Sequence, residues 1–262
     1  MAAMGDDLKL ATGDSIIEYD TVTYALHVPK SADGPHGPFA VLVFFGGYGD
    51  SIEYYQKALA EMCDELDMIA VIPQMPWFAK PGKSSAAAVM GSLDGLRKEI
   101  ETQFHTDTNL VIVSGASAGG GSACQLTRRW GKNVPLLVLH STNRCSGIGN
   151  TRSVLLVGEN EAGFLGSEAE DGKLLGQGLT DLFAVPKEQH EVHFRHMRVW
   201  LETELSAVRI ERSDSSAKPD LNRAINLLLT PVPDTDAFFK YQQTRRAELR
   251  TKCQSKIDAL RK

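Results

Sequence analysis

The stretch NLVIVSGASAGGG, residues 109–121, decides the fold. It opens with four consecutive apolar residues, Leu110, Val111, Ile112 and Val113, passes through a turn of small residues centred on Ser117, and enters a segment with helical character from Ser122. Uninterrupted β-branched runs of this length, without polar alternation, mark strands covered on both faces, as in a parallel sheet flanked by helices. A strand that ends in G-A-S-A-G and turns at once into a helix predicts an α/β arrangement with Ser117 on the sheet edge.

The same signature recurs along the chain. Strand candidates are Val22–Val28, Phe39–Phe45, Met68–Ile72, Leu110–Ser114, Leu136–Leu139, Val154–Val157 and Leu182–Val185, and helix-like segments fall at 52–66, 92–104, 119–130 and 164–177. Strand and helix alternate, which predicts a doubly wound, mostly parallel sheet with helices on both faces. Ligands in such sheets bind beyond the carboxyl ends of the strands, so the residues just after each run are the ones to read for chemistry.

The expected domain plan is an N-terminal segment over 1–20, an α/β domain over 21–205, a linker with a short apolar segment over 206–236, and a basic helix over 237–262. RSDSSAKP, residues 212–219, supplies the polar break. From Lys240 onward eight basic residues face two acidic ones, and Phe239, Leu249, Cys253, Ile257 and Leu260 form an imperfect apolar stripe. That stripe predicts docking on the domain, on a second copy of the chain, or on another protein.

At 262 residues the chain is long enough for one large α/β core, and a net charge of −5 gives no field attracting nucleic acid or an anionic membrane. No apolar run approaches a membrane span, and the amino terminus lacks the basic start and apolar stretch of a secretory signal. Cys63, Cys124, Cys145 and Cys253 are widely spaced and read as reduced thiols, which together with the absent signal predicts a cytoplasmic protein.

The chemistry at Ser117 follows from its setting. A serine hydroxyl attacks only when it is exposed and hydrogen-bonded to a base, and a tight strand-to-helix turn projects it. Upstream, the strand AVLVFF runs into Gly46, Gly47, Tyr48 and Gly49. A glycine-rich loop there is where a second oxyanion donor should stand, so the main-chain amides of Ala118 and Gly47 are the expected pair, with Tyr48 as the alternative to Gly47. The expected chain order is serine, acid, histidine. Glu161, Glu159 and Asp171 are candidate acids, Glu161 first. His190, in the loop after the last strand, is the first candidate base, ahead of His193 and His196; His140 precedes every plausible acid. Tyr48, Trp77 and Phe78 are expected to contact substrate. No metal or other cofactor is expected.

These residues together resemble the α/β-hydrolase superfamily, and within it the lidless esterase group that contains polyhydroxybutyrate depolymerases and feruloyl or acetylxylan esterases. The resemblance covers roughly residues 24–205 and rests on YALHVP from Tyr24, FFGGYGDSIEYY from Phe44, VIPQ from Val71 and SGASAGG from Ser114. It implies hydrolysis of an ester or related acyl bond through an acyl-enzyme. A peptidase or thioesterase is the alternative within enzymes, and a non-catalytic binding or scaffold protein is the alternative outside them. In such families the residue before the oxyanion glycine is often histidine; here it is Phe45.

Overall fold

The computed structural model describes residues 8–34, 37–142, 145–158, 180–185, 191–212, 218–231 and 237–260. The chain forms two compact units: one of residues 1–134 with 145–149, the other of residues 135–144 and 150–262.

The first unit contains β1 (Gly13–Tyr19), β2 (Val22–Val28), β3 (Phe39–Phe45), α1 (Ile52–Leu66), β4 (Met68–Pro73), α2 (Ala86–Gln103), β5 (Thr106–Ala116) and α3 (Gly119–Trp130). Its strands lie in the order β1-β2-β4-β3-β5, with β1, β2 and β4 paired antiparallel and β4, β3 and β5 parallel. All seven residues of β3 and all six of β4 are buried, which explains why these are inner strands. Burying one such side chain is worth about 1.5–3 kcal/mol, and no solvated position could hold so continuous an apolar run. The expected β2 and β3 coincide with the observed ones. β1 has no counterpart in the expectations because its alternation of half-buried and exposed residues, with Ile16 on the exposed side, is that of an antiparallel edge strand.

Helix α1 starts where Ser51 accepts the Tyr54 N–H at 3.2 Å and stops where Asp67 turns left-handed at φ 50°. The end of β3 pairs in register with the end of β5, Phe45 opposite Gly115. The loop after β3 and the turn after β5 therefore leave the sheet side by side.

The four cysteines are not all reduced thiols, contrary to what their spacing had suggested. Cys124 of α3 is disulfide-bonded to Cys145, Cα atoms 5.4 Å apart, while Cys63 and Cys253 are free and buried. Closing a loop of 21 residues is worth roughly 3 kcal/mol through the unfolded chain. A thiol-specific reagent in denaturant is expected to count two thiols before reduction and four after it; four without reductant would contradict the bond.

The second unit contains β6 (Leu136–His140), β7 (Arg152–Gly158) and β8 (Thr180–Val185), all parallel in the order β6-β7-β8, with α4 (Phe194–Arg212), α5 (Lys218–Leu229) and α6 (Ala237–Leu260). Helix α4 continues past residue 205, and α5 occupies much of the segment expected to be a linker. Leu249, Cys253 and Ile257 of α6 are buried with Ala207 and Ile210 of α4 and Ala224, Ile225 and Leu228 of α5. Phe239 is buried too. These positions of the apolar stripe thus pack on the chain's own helices.

The basic character of α6 has the same explanation. Arg246, nearly fully buried, donates to Glu202 at 2.8 Å, to Thr203 Oγ1 at 3.0 Å, and to the carbonyl oxygens of Leu227 and Thr230 at 3.0 and 2.9 Å. Arg245 donates to Glu204 at 2.8 Å, and the Tyr241 hydroxyl donates to Asp181 at 2.9 Å. Arg152 lies between Asp181 and Glu204, so α4, α6, β7 and β8 share one buried charge network. Each guanidinium there meets carboxylates in fixed geometry, as buried cations require.

Candidate active site

Ser117 joins the last residue of β5 to the first turn of α3 and holds a left-handed backbone, φ 47°. A non-glycine residue in this region costs on the order of 1–3 kcal/mol, which surrounding contacts must sustain. They do so through tight packing. A Cβ on Gly115 would stand 2.7 Å from Ala123 Cβ, and one on Gly119 would stand 2.6 Å from the Gly46 carbonyl oxygen, so neither position tolerates a side chain. The Gly120 N–H donates to the Ser117 carbonyl at 3.1 Å and closes the turn. Ser117 is half-buried and Ala118 exposed, at the positive end of α3.

The loop after β3 lies against this turn. A Cβ on Gly47 would be 3.6 Å from Ser117 Cβ. The loop is held on two sides. Trp77 Nε1–H donates to the Gly46 carbonyl at 3.0 Å, the Gly49 N–H to the Trp77 carbonyl at 3.1 Å, and the Ala79 N–H to the Asp50 carbonyl at 3.0 Å. From the other side, the buried Tyr55 hydroxyl accepts the Gly47 N–H at 2.9 Å and donates to the Asp50 carboxylate. Burial, then the bond to Asp50, pushes the Tyr55 phenol far above its ordinary value, so it remains a neutral hydroxyl.

Of the three expected substrate contacts, Tyr48 is 81% exposed in the loop after β3. Trp77 is half-buried with its indole N–H committed to Gly46, and Phe78 is buried against Gly46 and Tyr55, so it is a core residue rather than a lining one. Tyr55 and Asp50 were missed in the sequence reading. Their signal was present in the motif FFGGYGDSIEYY, as an acid and a tyrosine five residues apart flanking the start of α1.

In the second unit, His140 ends β6 and is fully buried; its Nδ1 accepts the His193 N–H at 3.2 Å. His193 and His196 are also buried, and His196 packs against Phe238 and stacks on Phe239, ring centres 4.9 and 5.2 Å away. Burial and the neighbouring His193 and His196 hold the His140 pKa well below the ordinary histidine value. His190, Glu161, Glu159 and Asp171 lie outside the described residues. Among the described residues no cluster of three or more His, Cys, Asp or Glu side chains is arranged to bind a metal.

The His140 shift has a consequence for stability. Below about pH 6.5 the unfolded chain takes up a proton at this position that the folded chain refuses, so folding stability falls on acidification by up to about 1.4 kcal/mol per pH unit. A series of urea midpoints from pH 7.5 to 5.5 is expected to fall less steeply in His140→Gln than in the natural chain. Equal slopes would contradict the assignment.

No protein-family model matches the sequence, and no curated protein matches it. Solved structures do. Est1E from Butyrivibrio proteoclasticus superposes with a TM-score of 0.53 at 12% identity over 77% of this chain and 100% of its own. FphF, a fluorophosphonate-binding serine hydrolase of Staphylococcus aureus, superposes with a TM-score of 0.53 at 10% identity over 72% and 96%. The fold is the α/β-hydrolase fold. The chain also spans about half of a thermostable esterase, 51% of that protein against 63% of this one, at 15% identity and a TM-score of 0.47. Among the described residues no helix is long and apolar enough to cross a membrane.

Proposed function

We propose that this α/β-hydrolase is a serine hydrolase that cleaves carboxylic esters through an acyl-enzyme on Ser117. The observation that carries the reading is the Ser117 backbone, held at φ 47° between β5 and α3 with the Gly46–Gly47 loop beside it. Strain of this kind is kept where it projects a reacting group.

In the proposed cycle His190 removes the Ser117 hydroxyl proton as Oγ attacks the ester carbonyl, and Glu161 keeps the imidazole in the accepting tautomer and stabilises its cation. The tetrahedral oxyanion is met by the Ala118 N–H and by an amide of the loop after β3. Collapse expels the alcohol with the proton from His190, and water then attacks the acyl-enzyme with the same base. The burial of His140, His193 and His196 inside the second unit supports assigning the base to His190. The exposure of Tyr48, one residue past Gly47, supports an aromatic contact at the mouth of the site.

The Cys124–Cys145 bond supports an oxidising compartment over the cytoplasm first expected, since such bonds are rare where glutathione keeps thiols reduced. Rapid mixing with 4-nitrophenyl acetate tests the reaction: a burst of about one nitrophenol per chain followed by slower turnover is expected of an acyl-enzyme. Release no faster than in a Ser117→Ala chain would overturn the reading.

A further inference from the structure

The expected oxyanion donor of the loop after β3 was Gly47, but its N–H is already committed to the Tyr55 hydroxyl. Tyr48 and Ala118, by contrast, donate their main-chain N–H groups to no acceptor among the described residues. The amides next in the chain to Ser117 and to Gly47, those of Ala118 and Tyr48, are therefore available. Phe45, the last residue of β3, is fully buried and its side chain offers the loop no hydrogen bond.

We propose, resting on the serine-hydrolase reading, that Tyr55 and Asp50 form the positioning pair of the oxyanion loop, withdrawing the Gly47 amide and fixing the loop so that the Tyr48 amide joins that of Ala118. A phenol has one hydrogen to give. Because Tyr55 gives it to Asp50, the oxygen must face the Gly47 N–H with a lone pair, so the carboxylate determines which way the hydroxyl points and thereby which peptide group it holds. Trp77, bonded to the Gly46 carbonyl, pins the opposite face of the same loop. The three contacts fix both ends of the Gly46–Gly47 peptide, so the loop is set before substrate arrives.

The pair touches no reacting atom, and its effect should appear in the transition state and not in substrate binding. Tyr55→Phe keeps the ring and its packing on Phe44 and Phe78 but loses both hydrogen bonds. With 4-nitrophenyl acetate, kcat is expected to fall about 10- to 100-fold with KM changed by less than about 2-fold. The rate of fluorophosphonate labelling should fall in parallel. Asp50→Ala should lose a comparable amount, and Asp50→Asn, whose amide oxygen still accepts the phenol hydrogen, should recover most of it. Asp50 is partly exposed, so the two Asp50 variants carry the test should Tyr55→Phe fail to fold.

An unchanged kcat in folded Tyr55→Phe, a loss confined to KM, or equal losses in Asp50→Ala and Asp50→Asn would each overturn the proposal. A natural chain that does not label at Ser117 would overturn the hydrolase reading with it. One that labels normally, with Tyr55→Phe labelling equally fast, overturns the positioning role alone.

Discussion

Ser117→Ala is expected to lower ester turnover by about 10⁴-fold or more, to the residual rate that binding and oxyanion donors alone support. The loss should sit in kcat, because the variant keeps the turn that presents the site. Alanine at φ 47° is strained to about the same degree as serine, Gly115 and Gly119 still pack against their neighbours, and the Gly120 N–H still reaches the carbonyl of residue 117. The melting temperature should therefore stay close to that of the natural chain. A variant that unfolds would signal a structural role for the hydroxyl. One that retains a tenth of the activity would place the nucleophile elsewhere.

His190→Ala should be nearly as damaging, a loss of about 10⁴–10⁶-fold in kcat, because without a base the serine hydroxyl keeps its proton. The comparison that gives this prediction its force is with His193→Ala and His196→Ala. Both side chains are buried, and His196 is packed on Phe238 and Phe239. Their removal should cost roughly 2–4 kcal/mol of folding stability while the folded fraction turns over substrate at close to the natural rate. Stability and catalysis thus separate along seven residues of chain. Full activity in His190→Ala, with loss in either neighbour, would reverse the assignment.

What could be read in advance depended on how local the signal was. β2, β3, α1 and α3 match their expected limits because each is a short apolar run or an amphipathic segment with its own stop, such as Asp67 after α1. The turn at Ser117 was legible for the same reason: strand, small residues and helix are contiguous. β1 was not legible, because a strand on an exposed edge carries no continuous apolar run.

Features that depend on distant parts of the chain were harder. The Cys124–Cys145 bond joins α3 to a loop 21 residues away, and nothing in the spacing distinguishes that pair from the other combinations of four cysteines. Which surface the C-terminal helix docks on was left open because its arginines have their acidic partners, Glu202 and Glu204, some 40 residues earlier on α4. At the candidate site, Gly47 was read as a donor from its place in the loop. Only the three-dimensional proximity of Tyr55 reveals that its amide is already engaged. Phe78 followed a strand like a lining residue, yet the glycine at position 46 leaves space that its ring fills.

The most direct test of the central claim is a fluorophosphonate probe applied to the folded chain, with the modified peptide located by mass spectrometry. The account predicts one adduct per chain, on Ser117, absent after heat denaturation and absent in Ser117→Ala. No adduct on the folded protein, or an adduct on any other residue, would contradict it.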